Sequence, residues 1–251
     1  YGISEKQIGF YLLKNYKKKF KIFSKIPKIH GIKKKNSQTI RSSIEKSTDK
    51  SLHLLQVPYL DGLAVHDCDD FLNKKKIFLT CIRSLKKKGK IKSFGISIYN
   101  PSELKKVYKI KDVNFIQMPI NILDQRWDER LLIKIKNKGI KIFARSIFLR
   151  GFLFFKKKQI WPIPNREKIK IKSNIKYLIK NFSKKNIIGI TFAYLNSMSF
   201  LSGTVCGCNS FAQFKQINKH RSIKKLTLKQ KNYLKSQFDF VKKNILDGRN
   251  Y

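Results

Sequence analysis

Six short runs rich in β-branched and aromatic residues recur along the chain: FKIFSK, DGLAVH, SFGIS, NFIQMP, IKIFARS and SGTVCG. Between them stand segments with apolar residues at helical spacing, among them SSIEKSTDKSLHLL, IFLTCIRSLKKKG, SELKKVYKI and RLLIKIKNKG. Strands alternating with helices describe βαβ units, because a strand returns parallel to its neighbour only over a long crossover. The pattern predicts an α/β fold on a parallel sheet. An open doubly wound sheet tolerates six strands, but its glycine-rich dinucleotide turn is nowhere in the sequence. A closed (β/α)8 TIM-type barrel needs eight strands, so on that reading about two βα units are lacking ahead of Tyr1.

Helix-start signals agree with this order. Ser4 with Gln7, Asn100 with Glu103, and Ser210 with Gln213 have capping-box spacing, and Pro101 sits at a first helical position. The tail LTLKQKNYLKSQFDFVKKNIL reads as a terminal amphipathic helix. The stretch from Ile147 to Lys170, with Trp161, Pro162 and Pro164, reads as a long loop of the kind that serves function. No internal repeat or linker breaks the pattern, so residues 1–251 are expected to form a single domain, N-terminally incomplete. No run of eighteen apolar residues occurs, which excludes a membrane-spanning helix in this sequence. Cys68, Cys81, Cys206 and Cys208 read as reduced thiols and point to the cytoplasm rather than to a disulfide framework.

The formal net charge of +42 suggests nucleic acid or anionic lipid as a partner. Lysine dominates it, with 48 lysines against nine arginines, whereas base edges and phosphates are read best by arginine forks. Lys, Ile, Asn, Phe and Tyr make up roughly half the chain, a bias of the kind that classes a sequence before any motif is read. Their codons are rich in A and T, so drift in base composition accounts for the lysine excess. Lysine runs recur on most exposed segments rather than in one patch. No specific nucleic-acid or membrane partner is therefore expected.

In a parallel barrel the reacting groups stand at the carboxyl ends of the strands. Those positions are Lys25, His66, Ser97, Gln117 within the fourth strand, Arg145 with Ser146, and Gly207. A lysine and a histidine at adjacent strand ends are an unusual pair, because charged side chains are rarely placed in a core.

Six motifs in order, YGISE, the strand-ending SK, YLDGLAVHD, GKIKSFGIS, IQMPINILDQR and VCGCNSFAQF, resemble the landmarks of the aldo/keto reductases from Tyr1 to about Gln216. SIYNPSEL, NILDQRW and ARSIFLRGFL further resemble a bacterial branch associated with surface-polysaccharide and sugar modification. The resemblance implies reduction of an aldehyde or ketone to an alcohol by hydride from NADPH or NADH, without a metal. It implies Tyr1 as the acid that protonates the carbonyl oxygen, Lys25 as the cation that lowers the phenol's pKa, and His66 as the group that orients the carbonyl. The family's catalytic aspartate would lie a few residues before Tyr1. Ser97 and Gln117 match positions that hold the nicotinamide carboxamide, although Ile98 replaces the asparagine that often follows the serine. Arg145 replaces an aromatic that stacks on nicotinamide, and a guanidinium plane can also stack. Ser146, Phe148 and Gly151 match the loop passing the pyrophosphate, and Gly207, Asn209, Ser210 and Gln213 match the opening of the last helix, where free N–H groups suit a phosphate. Asn209 stands where many relatives hold a base for the 2′-phosphate, which weakens the case for NADPH.

The cysteine pair in CGC, and His66, Cys68, Asp69 and Asp70 together, lack the spacing and the second pair of a structural zinc site. Aromatics interleaved with lysine in LRGFLFFKKKQIW suit a substrate loop or core as well as single-stranded nucleic acid. Two other classes stay open on the sequence: an inactive barrel fragment acting as a binding or interaction protein, and a basic nucleic-acid-binding protein. The substrate's identity and the oligomeric state are not encoded in any motif.

Overall fold

The computed structural model describes residues 3–15, 20–155, 163–242 and 246. Six strands follow chain order in a parallel sheet, as the alternating runs require. The chain divides into two compact units, Tyr1–Ile98 with Glu103–Ile116, and Tyr99–Ser102 with Gln117–Tyr251.

The first unit contains α1 (Ser4–Lys14), β1 (Phe23–Ile26), α2 (Ser37–Leu55), β2 (Gly62–Val65), α3 (Cys68–Asn73), α4 (Lys75–Lys87), β3 (Phe94–Ser97), most of α5 (Pro101–Val107) and the start of β4 (Phe115–Pro119). β1 pairs with β2 in the register Phe23↔Gly62 to Ile26↔Val65, and β2 with β3 as Leu63↔Phe94 to Val65↔Ile96. α2 starts where the Asn36 side chain accepts from Thr39 N at 2.8 Å. It buries Ile40, Ile44, Thr48, Ser51 and Leu55, one helical stripe, and packs on α1, α4 and β1.

Side-chain alternation then fixes which face of β1 does what. Ser24 Oγ donates to Glu5 Oε1 at 2.6 Å and lies 3.1 Å from Ser51 Oγ, so its side chain is on the helix side. Phe23 and Lys25 therefore point to the opposite face. There the Phe23 and Phe115 rings meet edge-on at 5.2 Å. They have room because β2 and β3 present glycine beneath them: an added Cβ at Gly62 would come within 2.3 Å of Phe23, and one at Gly95 within 2.3 Å of Phe115.

The second unit continues from β4 through α6 (Glu129–Asn137), β5 (Lys141–Arg145), a 3-10 turn (Leu149–Phe154), α7 (Asn165–Asn181), α8 (Ile187–Asn196), β6 (Gly203–Thr204), α9 (Phe211–His220) and α10 (Leu228–Ser236). β6 is short, but Ser202 N donates to Ile142 O at 2.8 Å and Val205 N to Ala144 O at 2.7 Å, which extends its ladder at both ends. Glu129 joins two helices: Lys231 donates to one carboxylate oxygen at 2.7 Å and Lys235 to the other at 2.5 Å.

Three sequence expectations are corrected. Ser4 does not cap α1: the N-cap is Ile3, with no side-chain cap, and Ser4 is already helical. The tail is not one long helix: α10 ends at Ser236, and Phe238 and Val241 are buried through turns instead. The long loop ends earlier than Lys170, at the start of α7, while Trp161 and Pro162 lie outside the described residues. Helix α8 had no sequence signal, because Ile188 to Leu195 are all buried and an all-apolar helix has no amphipathic period.

Adding a methyl group at Gly95 forces the Phe115 ring aside. Gly95→Ala is expected to cost about 1–3 kcal/mol, the usual range for overpacking, read from urea denaturation. The second expectation concerns Glu129. Burial works to raise its pKa, but the hydrogen bonds from Lys231 and Lys235 outweigh it and hold the carboxyl below its ordinary value. A lowered folded pKa contributes stability that is present above the unfolded value and is lost as pH falls through the folded one. Glu129→Gln should thus lower the melting temperature at pH 7, leaving the buried Lys231 ammonium with a weaker partner, and this difference should vanish near pH 3.

Candidate active site

The first unit carries a row of polar side chains at its strand ends. Lys25 is on the ring-bearing face of β1, and Gly62, Ala64 and then His66 share the corresponding face of β2 by alternation. His66 stays in the ladder, its N–H donating to Ile26 O at 3.1 Å. On β3 the same face runs from Gly95 to Ser97, which is fully buried. Lys25, His66 and Ser97 thus stand at the carboxyl ends of three consecutive parallel strands, on one face. Tyr1 lies outside the described residues.

The acids beside His66 do structural work. Asp67 caps α3, accepting from Asp69 N at 3.0 Å, and pairs with Lys28 at 2.9 Å. Asp70 accepts from Ile29 N at 2.7 Å and so holds the chain leaving β1. Burial pushes the Asp70 carboxyl up, and the neighbouring Asp67 charge adds to that push. Burial also works to raise Asp67, but Lys28 outweighs it and keeps that carboxyl low. Cys68 is buried, and burial pushes its thiol far up, so it is no thiolate.

The second unit contains, by itself, a cavity of about 750 Å³. Ser146, Phe148, Gly151, Gly207, Asn209 and Gln213 line it, six of the residues named from sequence as cofactor contacts. Its wall after β5 is strained backbone: Ser146, Leu149 and Arg150 have φ of 53°, 46° and 52°, and Gly151 has 94°. Non-glycine residues in the left-handed region cost about 1–3 kcal/mol each and gather at ligand clamps. Across the cavity Ser210 caps α9 by accepting from Gln213 N at 3.2 Å, while Gln213 Oε1 accepts from Asn209 N at 2.8 Å. Ser210 does not line the cavity; its observed part is to set the helix start beside it.

Gln117 lies on β4, on the same face as Phe115. It is 5% exposed, and its Oε1 has no hydrogen-bond partner among the described residues. A buried acceptor left unpaired costs about 1–3 kcal/mol, so the position suits a ligand that brings an N–H donor, such as a primary amide. The Arg145 guanidinium lies 4.2 Å from the Tyr99 ring centroid and donates to Ser146 Oγ at 3.2 Å. One of its faces is thus taken up by Tyr99.

Sequence reasoning missed several lining residues. Gln216 and Ile217 line the cavity with Gln213 because they follow it by three and four positions on α9, a spacing visible in the sequence. Ile188 was hidden in the all-apolar α8, and Arg150, Phe154, Val205 and Cys206 have no motif of their own. Asn121, fully buried just beyond β4, has an Nδ2 without a partner among the described residues.

Parallel strands in chain order, polar groups at their carboxyl ends and a wide groove beyond the last strands define an α/β enzyme fold of the (β/α)8 barrel class. The chain belongs to the aldo/keto reductase family, whose sequence model matches residues 1–237. Membership makes it an oxidoreductase of carbonyl compounds. Solved structures agree on the fold. An aldo-keto reductase from Bacillus halodurans, AKR11C1 in its holo form, superposes with a TM-score of 0.69 at 20% identity, over 93% of this chain and 76% of that one. The glycerol dehydrogenase AKR11B4 from Gluconobacter oxydans gives 0.70 at 18% identity, over 93% and 76%. The thermostable aldo-keto reductase Tm1743, in complex with the inhibitor epalrestat, gives 0.67 at 19% identity, over 94% and 78%. Comparison with curated proteins gives no match. Among the described residues, no helix is long and apolar enough to cross a membrane.

Proposed function

We propose that the chain acts as one barrel-type domain that reduces an aldehyde or ketone, including sugar-derived carbonyls, with NADPH or NADH. The observation that carries the reading is the cavity wall, where six residues expected from the sequence to touch a dinucleotide come together. The residues fit such a group on independent grounds: an orphaned buried acceptor at Gln117 for a carboxamide, and a glycine at Gly207 whose missing Cβ leaves open space within 4 Å. When bound, the nicotinamide supplies the hydride.

The protein's own residues would do the rest. Gln117 and Ser97 hold the carboxamide, and Arg145 offers a cationic plane. Ser146, Phe148, Gly151, Gly207, Asn209, Ser210 and Gln213 embrace the pyrophosphate and adenosine, with the first turn of α9 offering N–H groups to a phosphate. Tyr1 donates the proton to the carbonyl oxygen. A phenol ionises near pH 10 in water, so it needs a neighbour that favours phenolate, and Lys25 is that cation. His66 orients the carbonyl and donates toward the developing negative charge.

Two measurements test this. Tyr1→Phe and Lys25→Met should each lower turnover of a generic aldehyde by about 10²- to 10⁴-fold, the usual worth of general acid catalysis. Dinucleotide affinity, read by fluorescence quenching, should be unchanged in both. Wild-type turnover in either variant would rule the assigned roles out. The nucleotide is the subject of the second test. Asn209 offers no charge to a 2′-phosphate, so NADH should bind at least as tightly as NADPH. Asn209→Arg should shift the ratio toward NADPH by about tenfold or more, the worth of one charge-assisted hydrogen bond.

A further inference from the structure

Cys206 and Cys208 flank Gly207 on the segment between β6 and α9, and both are free thiols. Cys206 is half-buried and lines the 750 Å³ cavity together with Val205 and Gly207, whereas Cys208 is exposed. Val205 N still bonds to Ala144 O just beyond β6, and none of residues 205–209 has a positive φ. Even in a fully extended chain the Cα atoms of residues i and i+2 are no more than about 6.6 Å apart, two residue steps. That separation falls at the upper end of the roughly 4.4–6.8 Å range that a disulfide spans. Cys206 Sγ lies 3.7 Å from Gly207 O, the carbonyl of the residue that separates the two cysteines. Closing the bond turns the chain at the residue between them. That residue is a glycine, and a Cβ built on it would meet nothing within 4 Å.

We propose that Cys206 and Cys208 form a reversible dithiol–disulfide pair, oxidised by hydroperoxide, whose closure reshapes the wall of the cavity through Gly207. Cys208 is the sulfur that a peroxide reaches first, because it is exposed. Burial pushes the Cys206 thiol up to about 11, so it waits as the protonated, resolving partner. In the first step the Cys208 thiolate attacks one peroxide oxygen. An S–O bond forms, the O–O bond breaks, and the departing hydroxide takes a proton to become water. In the second step the Cys206 sulfur attacks the Cys208 sulfenyl sulfur. The S–S bond forms, the S–O bond breaks, and the hydroxyl leaves with the Cys206 proton as a second water. Two thiols lose two electrons and hydrogen peroxide gains them. A dithiol reverses the change by exchange, and a bond drawn across one residue in an exposed loop is of the labile kind. Two sulfurs fall short of the four ligands of a structural zinc site, and no third ligand joins them among the described residues.

The full chain provides the test, with Cys68 and Cys81 as buried internal controls at 1% and 2% exposure. The reduced protein is treated with equimolar hydrogen peroxide, alkylated and digested. The expected product is the peptide spanning 206–208 lighter by about 2 Da, two hydrogens, restored by a dithiol reductant. Cys206→Ser should stop at a sulfenic acid on Cys208 that dimedone traps, and Cys208→Ser should react more slowly than the parent. Hydrogen exchange of the amides of residues 205–213 should change on oxidation of the parent and stay constant in Cys208→Ser. A peptide carrying only sulfinic acid, or only links between chains, overturns the pair. An intact disulfide with unchanged exchange overturns its effect on the cavity. Neither readout uses a nucleotide, so the result stands apart from the cofactor reading.

Discussion

Two regularities of the β-strand, parallel pairing and two-residue alternation, set everything else in this molecule. Parallel pairing brings the carboxyl ends of β1, β2 and β3 side by side, because each strand returns over a helix to start again at the same end. Alternation then divides each strand between two tasks. Ser24 and Ile26 serve the helices, while Phe23 and Lys25 serve the opposite face. A slip of one residue in β1 would turn Lys25 toward α2 and bring Ser24 beside Gly62, which would lose the ring contact and the cation together. The Phe23–Phe115 contact over Gly62 and Gly95 therefore acts as a register key for the polar layer above it.

The second unit meets a different demand, which on the proposed reading is to enclose a dinucleotide. The 750 Å³ groove is walled by bulky side chains such as Phe148, Phe154 and Ile188, and a phosphate would also need places where backbone comes close. The chain meets this with left-handed residues after β5 and with an open glycine before α9. Ser146, Leu149 and Arg150 adopt that conformation without being glycine, so the strain is offset by their surroundings: Ile147, Leu149, Phe152 and Leu153 are all buried.

This split explains what could be read from the sequence. Strands were legible because their β-branched runs are short and bounded, and the strand ends followed at once, so Lys25, His66, Ser97 and Gln117 could be named in advance. The strained loop was legible only at Gly151, since no residue preference announces a left-handed serine, leucine or arginine. α8 was invisible because periodicity needs a polar face, and its ends offer polar residues only at Asn186 and Asn196. The tail misled in the opposite direction. Leu234, Phe238 and Val241 keep a helical rhythm, yet the last two are buried from turns, because burial asks only that the apolar side chain reach the core.

Charge is the remaining regularity, and its scarce member is the acid. Many of the fifteen carboxylates lock a joint by a hydrogen bond or ion pair, among them Glu5, Asp49, Asp61, Asp67, Asp70, Asp112, Asp124, Asp128, Glu129 and Glu167. The 57 basic residues cannot be matched that way, so most of the cationic charge is left for solvent and salt to screen. A field of that sign draws any anion toward the surface and speeds encounter without choosing among anions. NADH and NADPH both arrive as anions and both profit from it. Discrimination between them must come from a contact within hydrogen-bonding reach of the 2′ position, and on the proposed reading that contact is Asn209. An amide there can bond a ribose hydroxyl at little cost, whereas a phosphate would gain from it only one neutral donor. A chain with a large excess of cations would thus leave its choice of nucleotide to one uncharged side chain.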